Sequence, residues 1–431
     1  MTSQVSGVFS GEVGVYKRRQ PQYTALYRVV ERDYERLGLE WEEKFVEDYG
    51  FYRKEYTKVL EEYLKCGILE EGCALISCQQ CQAAFVVAFS CKRRGVCPSC
   101  AMKRSLLFGE HLFKEVLARV PTSHIVWTLP KRFRGYFRSK KSRSKLFVLA
   151  WRCVRAAYGN MIEEGMPAMV LTLHTAGGEL NYHPHLHGML PKGVFKRSGE
   201  FVELEKLEEE KLSEDFAKRV LRYLKKLDPE NVTDEAIAQV LSQEHSGFSV
   251  WIGDAVLPEK GLYGEFMARY IARGPVANAR IRFRNAKVVY QNKEDKEKLF
   301  EPLEFLAALV QHTPYRSESL IRYMGYYSYV VRGKRAKAKL ELESEVAGKK
   351  EAEALAARLA PVADPATCDK RKGNSSWAAQ IKRVFEVDPL LCPKCHNEMY
   401  IKSFILDPHE IAKVIKYAEE QPPEAEEYDS S

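Results

Sequence analysis

At 431 residues and 45% hydrophobic content, the chain can bury two or three separate cores. No apolar run reaches the eighteen or so residues that span a bilayer, and the polar stretch from Met1 to Gln20 lacks the apolar core of a secretory signal, so a cytoplasmic protein without a membrane partner is expected. In that reducing compartment eleven cysteines argue for metal rather than disulfides, and a net charge of +8 favours a polyanionic partner.

Residues 1–65 read as an N-terminal helical segment: Tyr27, Val30, Tyr34 and Leu37 fall at helical spacing, followed by Trp41, Phe45 and Tyr49. A zinc-binding domain is expected over 66–118, where seven of the eleven cysteines crowd into residues 66–100. Cys78-Gln-Gln-Cys81 and Cys97-Pro-Ser-Cys100 are two Cys-x2-Cys knuckles fifteen residues apart, which matches a tetrahedral structural zinc site. Four thiolates close the shell, so such an ion serves folding and DNA contact rather than catalysis. Cys66, Cys73 and Cys91 are left for a second metal or as plain buried thiols. A basic helix around Met102–Arg119 follows.

From Cys91 to Asn160 there are 17 Lys/Arg against two acids, Glu110 and Glu115, a local balance of +15. The densest part runs from Lys131 to Lys145, where aromatic residues interleave with bases. Cations meet phosphates and aromatic faces stack on unpaired bases, so Lys131, Arg132, Arg134 and Arg138 are candidate contacts to a single strand.

A catalytic domain is expected over 119–332. Ser123-His-Ile-Val-Trp-Thr-Leu-Pro130 and Ala168-Met-Val-Leu-Thr-Leu-His174 read as buried strands. The Gly177-Gly178 turn then leads into Tyr182-His-Pro-His-Leu-His-Gly188, which predicts an antiparallel hairpin. Alternation along a strand puts His183, His185 and His187 on one face. Neutral imidazoles each offer a ring-nitrogen lone pair, so the face can hold a divalent ion. His185 and His187 are the candidate ligands, with His183 as third and His174 on the adjacent strand in reserve.

Residues 199–245 form a charged helical insertion without chemistry of its own. Gly264–Pro275 reads as a short helix ended by Gly274 and Pro275. Tyr270 lies on it between Arg269 and Arg273. A tyrosine can attack phosphorus and conserve the broken bond as a phosphotyrosine, and the two arginines would steady the phosphate. The plain alternative is a core aromatic. Tyr323 and Tyr327 are rivals, but Gly325 between them weakens any helix that would align them, so their segment reads as packing or DNA contact. Strand-like stretches at 280–283 and 287–290 precede it. A linker helix is expected over 333–375, a small module over 376–417 and a disordered acidic tail over 418–431. The module carries one knuckle, Cys392-Pro-Lys-Cys395, which Cys368 or His409 would complete as a second zinc site.

In this order these features resemble the rolling-circle transposases of the HUH superfamily, specifically the insertion-sequence ninety-one family. The superfamily is named for two histidines flanking a hydrophobic residue, here His185-Leu186-His187. Ser90-Cys-Lys-Arg-Arg-Gly-Val-Cys-Pro-Ser-Cys100 resembles the family's zinc-binding domain. Trp127-Thr-Leu-Pro130, His183-Pro-His-Leu-His-Gly188 and Tyr270-Ile-Ala-Arg-Gly-Pro275 are similar to its catalytic domain. His312-Thr-Pro314, Tyr323-Met-Gly-Tyr-Tyr-Ser328 and Val387-Asp-Pro-Leu-Leu-Cys-Pro-Lys-Cys395 resemble its later motifs. The resemblance implies an α+β fold, a central antiparallel sheet flanked by helices, with zinc-binding and C-terminal modules. It implies magnesium or manganese at the histidines, structural zinc, and transesterification of single-stranded DNA at transposon ends and target through Tyr270, in the cytoplasm of a bacterium or archaeon. Many members carry a second tyrosine one helical turn earlier. Phe266 stands there, which implies the single-tyrosine branch, with a homodimer or a free 3′ hydroxyl completing strand transfer. A plasmid or phage replication initiator with the same chemistry, and a non-catalytic zinc-dependent nucleic-acid-binding protein, are the alternatives.

Overall fold

The amphipathic spacing at the start of the chain makes helix α1, Ala25–Lys44, with Leu26, Val30 and Leu37 buried along one stripe. The short α2, Val46–Tyr49, and α3, Lys54–Leu64, follow. The structure, a computed structural model, describes residues 19–159, 165–243, 246–256, 274–347, 391–392 and 394–420. It is an α+β fold with antiparallel sheets, and its contacts divide it into two units. No helix among the described residues is long and apolar enough to cross a membrane.

One unit is built from the described parts of Met1–Glu31, Glu61–Lys92 and Val362–Ser431. It holds strands β1, Cys73–Cys78, and β2, Ala84–Ala88, from the cysteine block. The third strand of their sheet comes from the far end of the chain. Met399–Ile405 lies antiparallel on β1, with Cys78 opposite Met399 and Cys73 opposite Ile405. The C-terminal helix Pro408–Glu420 puts Ile411 into the apolar cluster of Leu69, Cys73, Leu75 and Ile405. Within the stretch 376–417, expected as a module of its own, the strand Met399–Ile405 therefore completes the sheet begun by the cysteine block. β1 is thereby the central strand, paired along both edges, and all six of its residues are buried.

The other unit takes Arg32–Leu60 and the described parts of Arg93–Pro361. In chain order it contains α4 (Pro98–His111), β3 (Thr122–Thr128), α5 (Lys140–Gly159), β4 (Ala168–Ala176) and β5 (Tyr182–Pro191). Then come β6 (Gly193–Phe195), β7 (Phe201–Glu203), α6 (Glu209–Leu227), α7 (Asp234–Leu241) and β8 (Ser249–Ile252). After them come β9 (Ile281–Arg284), β10 (Lys287–Gln291), β11 (Glu297–Phe300), α8 (Pro302–Val310), β12 (Ile321–Gly325) and α9 (Tyr329–Ala347). Five strands form the central antiparallel sheet in the order β12-β4-β5-β3-β8.

Alternation decides which face of this sheet is core. Ile125, Trp127, Leu171, Leu173, Leu186, Val250 and Ile252 point to one side, where Phe216, Val220 and Leu224 of α6 and Phe147, Ala150 and Val154 of α5 cover them. Each such side chain removed from water contributes about 1.5–3 kcal/mol before entropy is counted. The opposite face carries His124, His174, His185 and His187, and further along the strands it is covered by Phe108, Leu112 and Val116 with Tyr326 and Tyr327. The insertion at 199–245 thus closes the sheet's core side, and the histidines lie on the other.

Candidate active site

The expected hairpin forms, and its register sets the geometry of the histidines. His174 on β4 stands directly opposite His185 on β5, and Thr172 opposite His187. Ring centroids of His174 lie 4.5 Å from His187 and 5.5 Å from His185, and those of His185 and His187 are 4.9 Å apart. One ring nitrogen from each of His174, His185 and His187 lies within 4.8 Å of the others.

His183, expected as the third ligand, is not in this group. The register shifts between His174 and Ala176, so that His183 and Pro184 together face Thr175. Proline has no N–H to give the ladder, and a two-against-one bulge turns the side chain that precedes it. His183 instead uses its backbone: its carbonyl accepts a hydrogen bond from His185 Nδ1 at 2.6 Å. The reserve residue, His174, takes the third place.

The donor chemistry fits a divalent ion. Burial pushes His185 and His187 well below the ordinary imidazole range, so both rings are neutral donors at pH 7. His185 gives its Nδ1 proton to the His183 carbonyl, which puts the ring's lone pair on Nε2. His187 Nδ1 lies 3.0 Å from Nε2 of His124 on the neighbouring strand, with the two rings stacked at 11°. A proton on His187 Nδ1 shared with His124 would put the His187 lone pair on Nε2. Burial holds His124 down to about 4. His124 thus orients the His187 ring, a contact that its place in the strand 123–130 did not reveal without the pairing partner.

The three histidines line a cavity of about 420 Å³ whose other walls include Arg94, Arg104, Arg280 and Lys293. Burial, with the charge of Arg104 next, pushes the Arg94 guanidinium down to about 10. Among the described lining residues Glu294 is the single acid, and Lys296 pairs with it at 3.0 Å. A cavity of this make-up favours an anion. Arg94 and Arg104 belong to the basic stretch from 91 to 160, but nothing in that stretch singled them out. His312 braces the hairpin turn from behind: it bonds Thr175 Oγ1 at 3.1 Å and the Leu180 carbonyl at 3.0 Å.

The basic cluster divides into different roles. Arg138 donates to the carbonyls of Asp48 at 2.7 Å and Tyr49 at 3.2 Å and lies over the Tyr182 ring, so it ties loops together. Arg134 donates to the Leu129 carbonyl and, after burial and His185, is the next influence that holds His183 down to about 3. Lys131 and Arg132 are exposed. Of the interleaved aromatics Phe133 and Phe137 are buried, and Tyr136 is half-buried with its hydroxyl donating to Asp228 at 2.6 Å. Tyr323 is in a strand and Tyr327 is fully buried, its hydroxyl accepting from the Ala118 amide. Gly325 between them, at φ +58°, ends the strand, so no helix aligns the pair. Tyr270, Arg269, Arg273 and Phe266 lie outside the described residues.

The cysteines pair differently from their spacing. Cys78 and Cys81 meet Cys392 and Cys395, with all four sulfurs within 4.8 Å of one another. Cys78 Sγ lies 3.4 Å from Cys395 Sγ, and Cys81 Sγ 3.5 Å from Cys392 Sγ. Thiolates about 2.3 Å from a tetrahedral zinc stand roughly 3.8 Å apart, so the quartet suits that ion. The Asn397 side-chain amide donates to Cys395 Sγ at 3.4 Å and brings that thiol down to about 6. Pairing of β1 with the C-terminal strand brings the two knuckles together, which fills the set without Cys97 and Cys100. Those two lie elsewhere, Cys97 as the N-cap and Cys100 in the first turn of α4. Neither Cys368 nor His409 completes the C-terminal knuckle: His409 is not in the quartet, and Cys368 is outside the described residues.

No curated protein and no solved structure matches the chain. Two family models do. Y2_Tnp, described as "Putative transposase", matches residues 168–337, which contain the hairpin and its histidines. The model described as "Transposase zinc-binding domain", of the IS91 type, matches residues 39–129 and with them the seven crowded cysteines. With a Y2_Tnp transposase domain preceded by an IS91-type zinc-binding domain, the chain belongs to the transposases of the IS91/Y2 type.

Proposed function

We propose that this transposase nicks and rejoins single-stranded DNA at element ends and target, with Tyr270 as nucleophile and His174, His185 and His187 holding magnesium or manganese. The observation that carries the reading is the convergence of three imidazoles in a cavity whose other walls include Arg94, Arg104, Arg280 and Lys293. A divalent ion bound there would polarise a phosphoryl oxygen. The Tyr270 phenol oxygen forms a bond to phosphorus, its proton passes to solvent, and the 3′ oxygen leaves to become a hydroxyl. One phosphodiester replaces another, so no ATP is consumed. Attack by a 3′ hydroxyl on the phosphotyrosine joins the strand and restores the phenol. With Phe266 at the earlier position, a single tyrosine serves each chain, and a homodimer supplies a second.

Arg94 and Arg104 hold the phosphate in the cavity, with Arg269 and Arg273 steadying the strand from beside Tyr270. Lys131 and Arg132 add exposed charge along the strand path. Structural zinc is held by Cys78, Cys81, Cys392 and Cys395. The test is a covalent adduct assay on labelled single strands with manganese. Tyr270→Phe should abolish the adduct while strand binding survives, and Tyr323→Phe and Tyr327→Phe should leave it in place. Peptide mapping that found the phosphotyrosine at another residue would overturn the assignment.

A further inference from the structure

Phe133 and Phe137 of the basic cluster are taken up by the core and Tyr136 is held at Asp228, which leaves open where an unpaired base would stack. Of the tryptophans in the described residues, Trp41 and Trp127 are fully buried and Trp151 partly so, whereas Trp251 is 48% exposed. It sits on β8, the edge strand of the central sheet, between Val250 and Ile252, both buried on the α6 side. Strand alternation therefore turns the indole to the histidine face.

The register places it more closely. Val126 of β3 stands opposite Trp251 on one side and opposite His187 on the other. Trp251, Val126 and His187 thus form one row across three strands, two strand spacings or about 10 Å from indole to metal ligand. Val126 lines the cavity with the histidines. The edge of the indole meets the His124 ring at 5.5 Å and 81°, and His124 in turn stacks on His187 at 5.2 Å. One ring edge is held in place, and nearly half of the side chain stays in solvent beside an anion-favouring cavity. The edge contact with His124 limits the rotamer freedom that the ring has to lose on binding.

The geometry points to Trp251 as a base-stacking platform, which holds an unpaired base of the bound strand within a nucleotide or two of the phosphate at the histidine site. The inference rests on the single-strand reading above and adds to it a subsite for the base. Every base has a π-face, so such a subsite tolerates any sequence and fixes the position of the strand.

The experiment compares two probes by fluorescence anisotropy without divalent metal: labelled oligothymidylate, and an abasic strand of the same length and backbone. Wild type should bind oligothymidylate more tightly than the abasic strand. Trp251→Ala should weaken oligothymidylate binding by about tenfold, within the range for loss of one stacked base, and leave abasic binding unchanged. Trp251→Phe, which keeps a π-face, should recover most of the loss, and Trp251→Leu, which keeps only bulk, should not. Equal loss on both probes, or full recovery with leucine, overturns the platform. Failure of wild type to bind either probe refutes the single-strand reading itself, a separate result.

Discussion

At the residue scale, the outcome at the hairpin turns on which histidine faces which. His183, His185 and His187 are equivalent by strand parity, and only the bulge at Pro184 separates His183 from the other two. His174 comes in from the adjacent strand by direct opposition to His185. Loss of a first-sphere imidazole costs an ion more than loss of an outer partner, which alone costs about 10–100-fold. His174→Ala should therefore weaken manganese binding by more than about tenfold, and His183→Ala by less than about threefold. Isothermal titration of manganese into the two variants measures both. The reverse order would return His183 to the metal.

At the element scale, the hairpin was legible because its signals are local: alternation along each strand, a Gly-Gly turn and histidines at period two. The bulge was not, because register irregularities depend on the partner strand. Nor was the function of Gly188. A Cβ built at Gly188 would lie 2.6 Å from Leu171 Cδ2, 2.8 Å from the Val170 carbonyl oxygen and 3.0 Å from Ile125 Cγ2. The strands to either side leave no room for it, and two of those three atoms belong to buried core side chains. Gly188→Ala should cost about 1–3 kcal/mol by overpacking. It should also weaken manganese binding, since the strand that must shift carries His185 and His187. Gly333 in α9, where a Cβ meets nothing within 4 Å, is the control: Gly333→Ala should leave thermal stability unchanged or raise it, by up to about 1 kcal/mol. Equal melting temperatures for the two variants would show that β5 has slack at its centre.

At the scale of the whole molecule, the knuckles show what spacing can and cannot tell. Each Cys-x2-Cys pair is a local turn and was evident in the sequence. Which pair closes on which depends on a strand pairing whose partners lie far apart, Cys81 and Cys392 being separated by 311 positions in sequence. The entropic cost of loop closure rises only slowly with loop length, so the distant partner is not excluded by entropy, and the antiparallel pairing of β1 with the C-terminal strand brings it in. One metal site then ties the C-terminal strand to the cysteine block, with a consequence that two separate modules would not share. Cys78→Ser and Cys392→Ser should each remove the same zinc ion, and the double variant should lose no more zinc than either single one. Both single variants should also expose the C-terminal strand and helix to protease, because β1 loses the metal that pins its partner. Zinc content by mass spectrometry and limited proteolysis read the two effects independently. Should Cys392→Ser keep its full zinc while Cys78→Ser loses it, the Cys78–Cys81 knuckle finds its partners elsewhere in the chain, and the C-terminal strand is held by packing alone.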